Sequence, residues 1–146
     1  MMKVKYIVIH CSATKAGQPF TAADIDRWHK SRGWNGIGYH YVIDIDGTIE
    51  LGRPCSQIGA HCKSYNKCSI GVCYIGGLDD DGQPCDTRTP EQKKALRILI
   101  QELKASFPDA KVVGHRDLSE DINGDGIIEK WEWLKDCPCF DVATQL

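Results

Sequence analysis

The segment Ser69 to Gly76 (SIGVCYIG) is apolar or small at every position and ends in a Gly-Gly break. A strand with one face in water alternates polar and apolar residues, so an uninterrupted apolar run is a strand buried on both faces. Such a strand belongs at the centre of a sheet. The other elements supply the covering layers. Lys5 to His10 (KYIVIH) is β-branched and predicts a strand, and Thr21 with Asp24 predicts the N-cap of a helix running to about Arg32, with Ile25 and Trp28 on one face. Tyr39 to Ile45 and Thr48 to Leu51 flank Asp46-Gly47, a hairpin signal. After a loop at Asp81-Gly82 and Pro84, Thr89-Pro90-Glu91-Gln92 combines an N-cap, a first-turn proline and a capping-box glutamine. The helix it opens carries Ala95, Leu96, Leu99, Ile100 and Leu103 on one face and stops near Phe107. Lys111 to Gly114 is a further short strand, and Lys130 to Leu134 a helical turn. The expected fold class is α/β, a central mixed β-sheet flanked by helices.

With 146 residues and 42% hydrophobic content, the chain can bury one core, which predicts a single domain. A net charge of -2 without a Lys/Arg cluster argues against nucleic acid and against a polybasic membrane anchor. The apolar run Tyr6 to Ile9 is shorter than the roughly 7–15 residues of a signal-peptide core and far too short to span a bilayer. These features predict a monomer made in the cytoplasm without a visible signal peptide and without membrane insertion. Eight cysteines point either to disulfides or to thiols and metal ligands. Cys62 and Cys68, which bracket a polar loop, are the foremost candidates for a bridge, whereas Cys73 reads as a packed thiol.

Asp121 to Glu132 (DINGDGIIEKWE) matches the calcium-loop pattern D-x-[DN]-x-[DN]-G-x5-E. Asp121, Asn123 and Asp125 would give side-chain oxygens and Ile127 its carbonyl, with Glu132 closing the shell; a solvated acidic turn is the plainer alternative. The residues before Asp121 read as strand and loop, so a structural calcium site without the full EF-hand is expected. On either side of this loop stand His115 and Cys137, which with His10 form a candidate metal trio. Two imidazoles and one thiolate leave a tetrahedral position open, as catalytic zinc requires. Their wide spacing alone does not establish the trio.

The segments IVIHCSATK (7–15), WHKSRGW (28–34), GYHYVIDIDGTIELGR (38–53), GAHCKSYNKCSIGVCYIGGLDDDG (59–82), TPEQ (89–92), GHRD (114–117) and KDCPCFD (135–141) resemble the zinc N-acetylmuramoyl-L-alanine amidases of the bacteriophage lysozyme type. That family shares its fold with animal peptidoglycan recognition proteins. The resemblance implies zinc on His10, His115 and Cys137, a catalytic tyrosine at Tyr39 and a catalytic lysine at Lys135. It also implies a peptidoglycan or muropeptide substrate, cut between the lactyl group of N-acetylmuramic acid and L-alanine, and action on the cell wall after release or delivery. Two features depart from the family pattern. The usual CPGF or CPSF becomes CPCF, adding Cys139 as a rival thiol, and the calcium-type loop lengthens the segment between His115 and Lys135.

His61 in GAHCKSYN resembles a groove-lining position and is a candidate substrate contact, with a loop-stabilising hydrogen bond as the alternative. His40 is expected on the opposite side of its strand from Tyr39, His29 beside Trp28, and Asp117 as a carboxylate partner for the His115 ring. A binding-only peptidoglycan recognition module and a calcium-responsive structural protein are the competing functional classes.

Overall fold

The computed structural model describes residues 3–133 and 135–146, so the Leu134 end of the expected helical turn lies outside the described residues. In chain order the elements are β1 (Tyr6–Cys11), β2 (Thr14–Lys15), α1 (Ala22–Ser31), β3 (Tyr41–Ile43), β4 (Ile49–Leu51), β5 (Ser69–Tyr74), β6 (Gly77–Leu78), α2 (Pro90–Ser106), β7 (Lys111–Gly114) and α3 (Val142–Gln145). The main sheet has the order β4-β3-β5-β1-β7, and β2 and β6 form a separate parallel pair. Within the main sheet β3, β5, β1 and β7 are parallel and β4 is antiparallel to β3. β5 is central and buried along its whole length, as its composition requires.

Period-two alternation divides the core. Ile7, Ile9 and Cys11 of β1, with Ile70, Val72 and Tyr74 of β5, pack against Leu96, Leu99, Ile100 and Leu103 of α2. Cys73, Ile75 and Val42 lie with Ile25 of α1 in a second cluster, flanked by Phe20, Trp28 and Tyr39. The α1 cap is built on Asp24, whose carboxylate accepts the Thr21 amide at 2.9 Å. At α2, Thr89 Oγ1 accepts the Gln92 amide at 3.1 Å while Gln92 Oε1 accepts the Thr89 amide at 2.9 Å.

Three expectations need correction. The hairpin strands are shorter than Tyr39–Ile45 and Thr48–Leu51, although the Asp46-Gly47 turn is present with Gly47 at φ 88°. Tyr39 and His40 leave the ladder because their successive carbonyls both accept across the pair, from Arg53 and Gly52, which breaks the alternation of an antiparallel pair. His40, two before Val42, keeps the α1 side by plain alternation, and the irregularity brings Tyr39 to that side as well: the His40 ring lies 5.8 Å and the Tyr39 ring 6.4 Å from the His61 ring. Finally, all eight cysteines are free thiols. The Cys62–Cys68 loop is closed instead by Asn66, whose Oδ1 accepts the His61 and Cys62 amides at 2.9 Å.

Gln92 is a buried polar link between helix and sheet. Its amide donates to the carbonyls of Ile75 at 2.9 Å and Ile43 at 3.3 Å. Leucine would fill the space but take the donor from the Ile75 carbonyl, at about 1–3 kcal/mol for an unsatisfied buried group, while the Ile43 carbonyl keeps the Ile75 amide at 2.9 Å. We expect Gln92→Leu to lower the melting temperature by about 5–10 °C, measured by calorimetry, without altering metal content.

Candidate active site

His10 is the penultimate residue of β1, β7 ends at Gly114 immediately before His115, and Cys137 lies in the loop before α3. Parallel strands β1 and β7 bring their carboxyl ends to one edge, where ligand sites of open α/β sheets form. One donor atom from each of His10, His115 and Cys137 falls within 4.8 Å of the others. His10 Nδ1 and Cys137 Sγ are 3.8 Å apart. A tetrahedral zinc with nitrogen and sulfur bonds of about 2.0 and 2.3 Å needs about 3.6 Å, so the trio can hold a metal ion of that kind.

The loop turns the two thiols in different directions. Cys137 Sγ accepts the Cys11 amide at 3.2 Å, and its carbonyl accepts the Arg116 amide at 2.9 Å. Cys139 turns away, with its sulfur 3.9 Å from Cys11 Sγ. The segment is pinned from below by Tyr74, whose hydroxyl donates to the Pro138 carbonyl at 2.6 Å. Contact with the Cys137 thiol, followed by burial, pushes the Cys11 thiol up to about 12 against an opposing contact with Cys139. Cys11 therefore stays protonated.

His61 sits behind His10. Its Nδ1 is 2.9 Å from His10 Nε2, and its Nε2 is 3.2 Å from Ser69 Oγ. Burial, ahead of His40 and His115, pushes the His61 imidazole down to about 3. Burial, followed by His61, His115 and Lys135, also holds His10 well below the usual histidine range. Both rings are neutral at physiological pH. Asp117 serves the backbone: its carboxylate accepts the Gly114 amide at 2.8 Å and closes the turn that carries His115.

Tyr39 and Lys135 line the same cleft, of about 560 Å³, as the trio. The Tyr39 ring is 5.1 Å from the His10 ring. Burial, then the thiols Cys73, Cys137 and Cys11, holds its phenol well above the ordinary range, so it is an O–H donor. The segment before it is clamped by α1. Asp26 Oδ1 accepts the Ile37 amide at 2.8 Å and His29 Nδ1 accepts the Gly38 amide at 2.9 Å. His29 also packs on Trp34, with ring centroids 4.5 Å apart. Sequence reading missed this positioning role, although Ile25 and His29, four apart, share one helical face. The cleft lining includes Arg32, Lys63, Arg116 and Lys135 and, among the described residues, no carboxylate. Net charge gives no hint of that local excess.

The loop 121–132 is folded around its own carboxylates. Asp121 accepts the Gly124 and Gly126 amides, Asp125 accepts that of Ile127, and the buried Glu132 accepts those of Ile122 and Glu129. Oxygens of Asp121, Asp125 and Glu132 lie within 4.8 Å of one another. Asn123 donates to Asp125 and also to Glu129, a residue the sequence reading did not single out. Where strand and loop were expected before Asp121, β7 is followed by a short 3-10 turn, His115–Leu118.

Residues 1–138 match the N-acetylmuramoyl-L-alanine amidase family. The endolysin of Klebsiella phage KP32 is 41% identical over 136 residues, covering 93% of this chain and 81% of that protein. The endolysin of Escherichia phage T7 is 40% identical over 136 residues with the same coverage, 93% and 81%. Among solved structures, the N-acetylmuramoyl-L-alanine amidase LysC from Clostridium intestinale aligns with a TM-score of 0.73 at 28% identity, covering 96% of this chain and 79% of that one. Drosophila PGRP-LB aligns with a TM-score of 0.71 at 28% identity, covering 94% and 76%. A metal-competent His-His-Cys cluster at the edge of this sheet and these likenesses lead to one assignment: the chain belongs to the N-acetylmuramoyl-L-alanine amidase family, enzymes that hydrolyse peptidoglycan at the amide between N-acetylmuramic acid and the stem peptide.

Proposed function

We propose that His10, His115 and Cys137 hold a catalytic zinc ion, and that Tyr39 and Lys135 act on the amide joining the lactyl group of N-acetylmuramic acid to L-alanine. The convergence of three donors from β1, the end of β7 and the Cys137 loop, in a cleft shared with Tyr39 and Lys135, carries this reading. When bound, zinc supplies a Lewis acid that makes water nucleophilic near neutral pH and draws charge from an amide carbonyl. Lys135 brings a cation to the cleft wall, where it would stabilise negative charge developing on the carbonyl oxygen. The neutral Tyr39 hydroxyl would orient the attacking water and exchange a proton with it. A preorganised donor of either kind is typically worth about 3 kcal/mol. The cationic lining suits a substrate whose stem peptide carries carboxylates, which the attached lysines and arginines would draw in and orient. This reading has the chain act at the cell wall after release or delivery; no helix among the described residues is long and apolar enough to cross a membrane. A binding-only module would not need the thiol that completes the trio.

Replacing Cys137 with alanine is expected to abolish zinc binding and hydrolysis of purified peptidoglycan, whereas Cys139→Ala keeps one zinc per chain and most activity. Metal analysis with a turbidity assay decides this, and the opposite pattern would assign the site to Cys139. Lys135→Ala and Tyr39→Phe are each expected to lower kcat about a hundredfold or more with zinc content at the wild-type level. Turnover unchanged in both would remove their catalytic roles.

We further propose that the loop 121–132 takes a structural calcium ion through Asp121, Asn123, Asp125, the Ile127 carbonyl and Glu132. In support, the three converging carboxylates form none of the ion pairs among the described residues, so a cation would relieve their repulsion. Calcium is then expected to raise the melting temperature and alter tryptophan fluorescence through Trp131 and Trp133, in wild type but not in Asp121→Ala/Glu132→Ala. No response of calcium-stripped wild type would reduce the loop to an acidic turn.

A further inference from the structure

Both ring nitrogens of His61 face partners inside the protein. Its Nδ1 meets His10 Nε2 at 2.9 Å and its Nε2 meets Ser69 Oγ at 3.2 Å. Ser69 Oγ is in turn 2.8 Å from the Tyr65 carbonyl. A carbonyl can only accept, so the single hydroxyl hydrogen of Ser69 is committed to Tyr65. Ser69 Oγ must therefore accept from His61, which places the proton of His61 on Nε2. With that nitrogen protonated, Nδ1 of the neutral ring is a lone pair. His10 must then donate through Nε2–H, and its remaining lone pair lies on Nδ1, the nitrogen 3.8 Å from Cys137 Sγ. Each hydrogen in the chain follows from the one before it.

The surroundings are cut to fit this ring. A β-carbon at Gly71 would come within 2.6 Å of the His61 ring, and one at Gly59 within 2.7 Å of it. Gly71 has no left-handed φ, so glycine is required there for space. The loop carrying His61 is closed by Asn66, which accepts the His61 amide at 2.9 Å. His40 braces the next layer, its Nδ1 accepting the Gly71 amide at 3.0 Å.

We propose that His61 is a positioning residue for the metal centre: anchored through Ser69 to the Tyr65 carbonyl, it fixes His10 in the Nε2–H tautomer and so presents the Nδ1 lone pair to the ion. This rests on the reading of His10 as a zinc ligand and assigns His61 to the ligand's support in place of the substrate contact expected from the sequence. Outer hydrogen bonds of this kind are typically worth tenfold to a hundredfold in metal affinity.

The test has two parts. Long-range proton–nitrogen spectra of nitrogen-15 histidine-labelled protein, metal-free and zinc-loaded, should show Nε2–H on both His10 and His61. A proton on His61 Nδ1 would overturn the proposal, and because the metal-free spectrum is read as well, this does not depend on any variant folding. Zinc competition against a chromophoric chelator should then show His61→Phe weakened tenfold to a hundredfold. Ser69→Ala should be weakened by a smaller factor, and His61→Asn, whose amide oxygen replaces the Nδ1 acceptor, should return to within about threefold of wild type. Affinity in His61→Phe within twofold of wild type, with KM alone raised, would make His61 a substrate contact and overturn the proposal. Failure of the wild-type chain itself to bind zinc would overturn the metal reading and the proposal with it, a result distinct from a wrong tautomer.

Discussion

The parallel pairing of β1 with β5, in the register Val8 to Gly71 and His10 to Cys73, is the constraint on which both the core and the catalytic edge depend. Because side chains alternate across a strand, this register commits Ile7, Ile9 and Cys11 to the α2 side and His10 to the cleft side. A slip by one residue would drive His10 into the aliphatic layer and send Ile9 toward the cleft. The cost of burying that imidazole without partners is of the same order as the cost of stranding the apolar positions. Core packing and site geometry thus select the same pairing.

The donors are then held by backbone groups more than by their own side-chain packing. Cys137 is fixed by the Cys11 amide on its sulfur and the Arg116 amide on its carbonyl, and the following residue by the Tyr74 hydroxyl. Tyr39 is presented by a short irregular segment tied to Asp26 and His29 of α1. That arrangement places a protonated phenol, an ammonium group and a metal-competent trio around one cleft while their supports remain in rigid elements.

Much of the architecture was legible in the sequence because it is written in local chemistry. The unbroken apolar run at Ser69–Gly76 could only be an internal strand, the Thr89-Pro90-Glu91-Gln92 cap could only open a helix, and the apolar stripe Ala95 to Leu103 had to face the sheet. Motif resemblance likewise brought His10, His115, Cys137, Tyr39 and Lys135 together before any coordinates did. Spacing alone could not, since nothing local ties residues so far apart in the chain.

What tertiary structure alone decided concerns partners that are remote in sequence. No local signal says that the Cys62–Cys68 loop is closed by Asn66 without a disulfide, that Cys139 turns to Cys11 while Cys137 turns to His10, or that His40 stays on the side of Tyr39. The cationic lining of the cleft was hidden by a net charge of -2, because electrostatics at a site depends on which charges converge and not on their sum. The sequence by itself determined the elements and the central strand, because propensity, capping and alternation act over a few residues. The fold decided which nitrogen, which sulfur and which face each donor presents, because a hydrogen bond is specified by position and direction to within a few tenths of an ångström, and those are set only when distant segments pack.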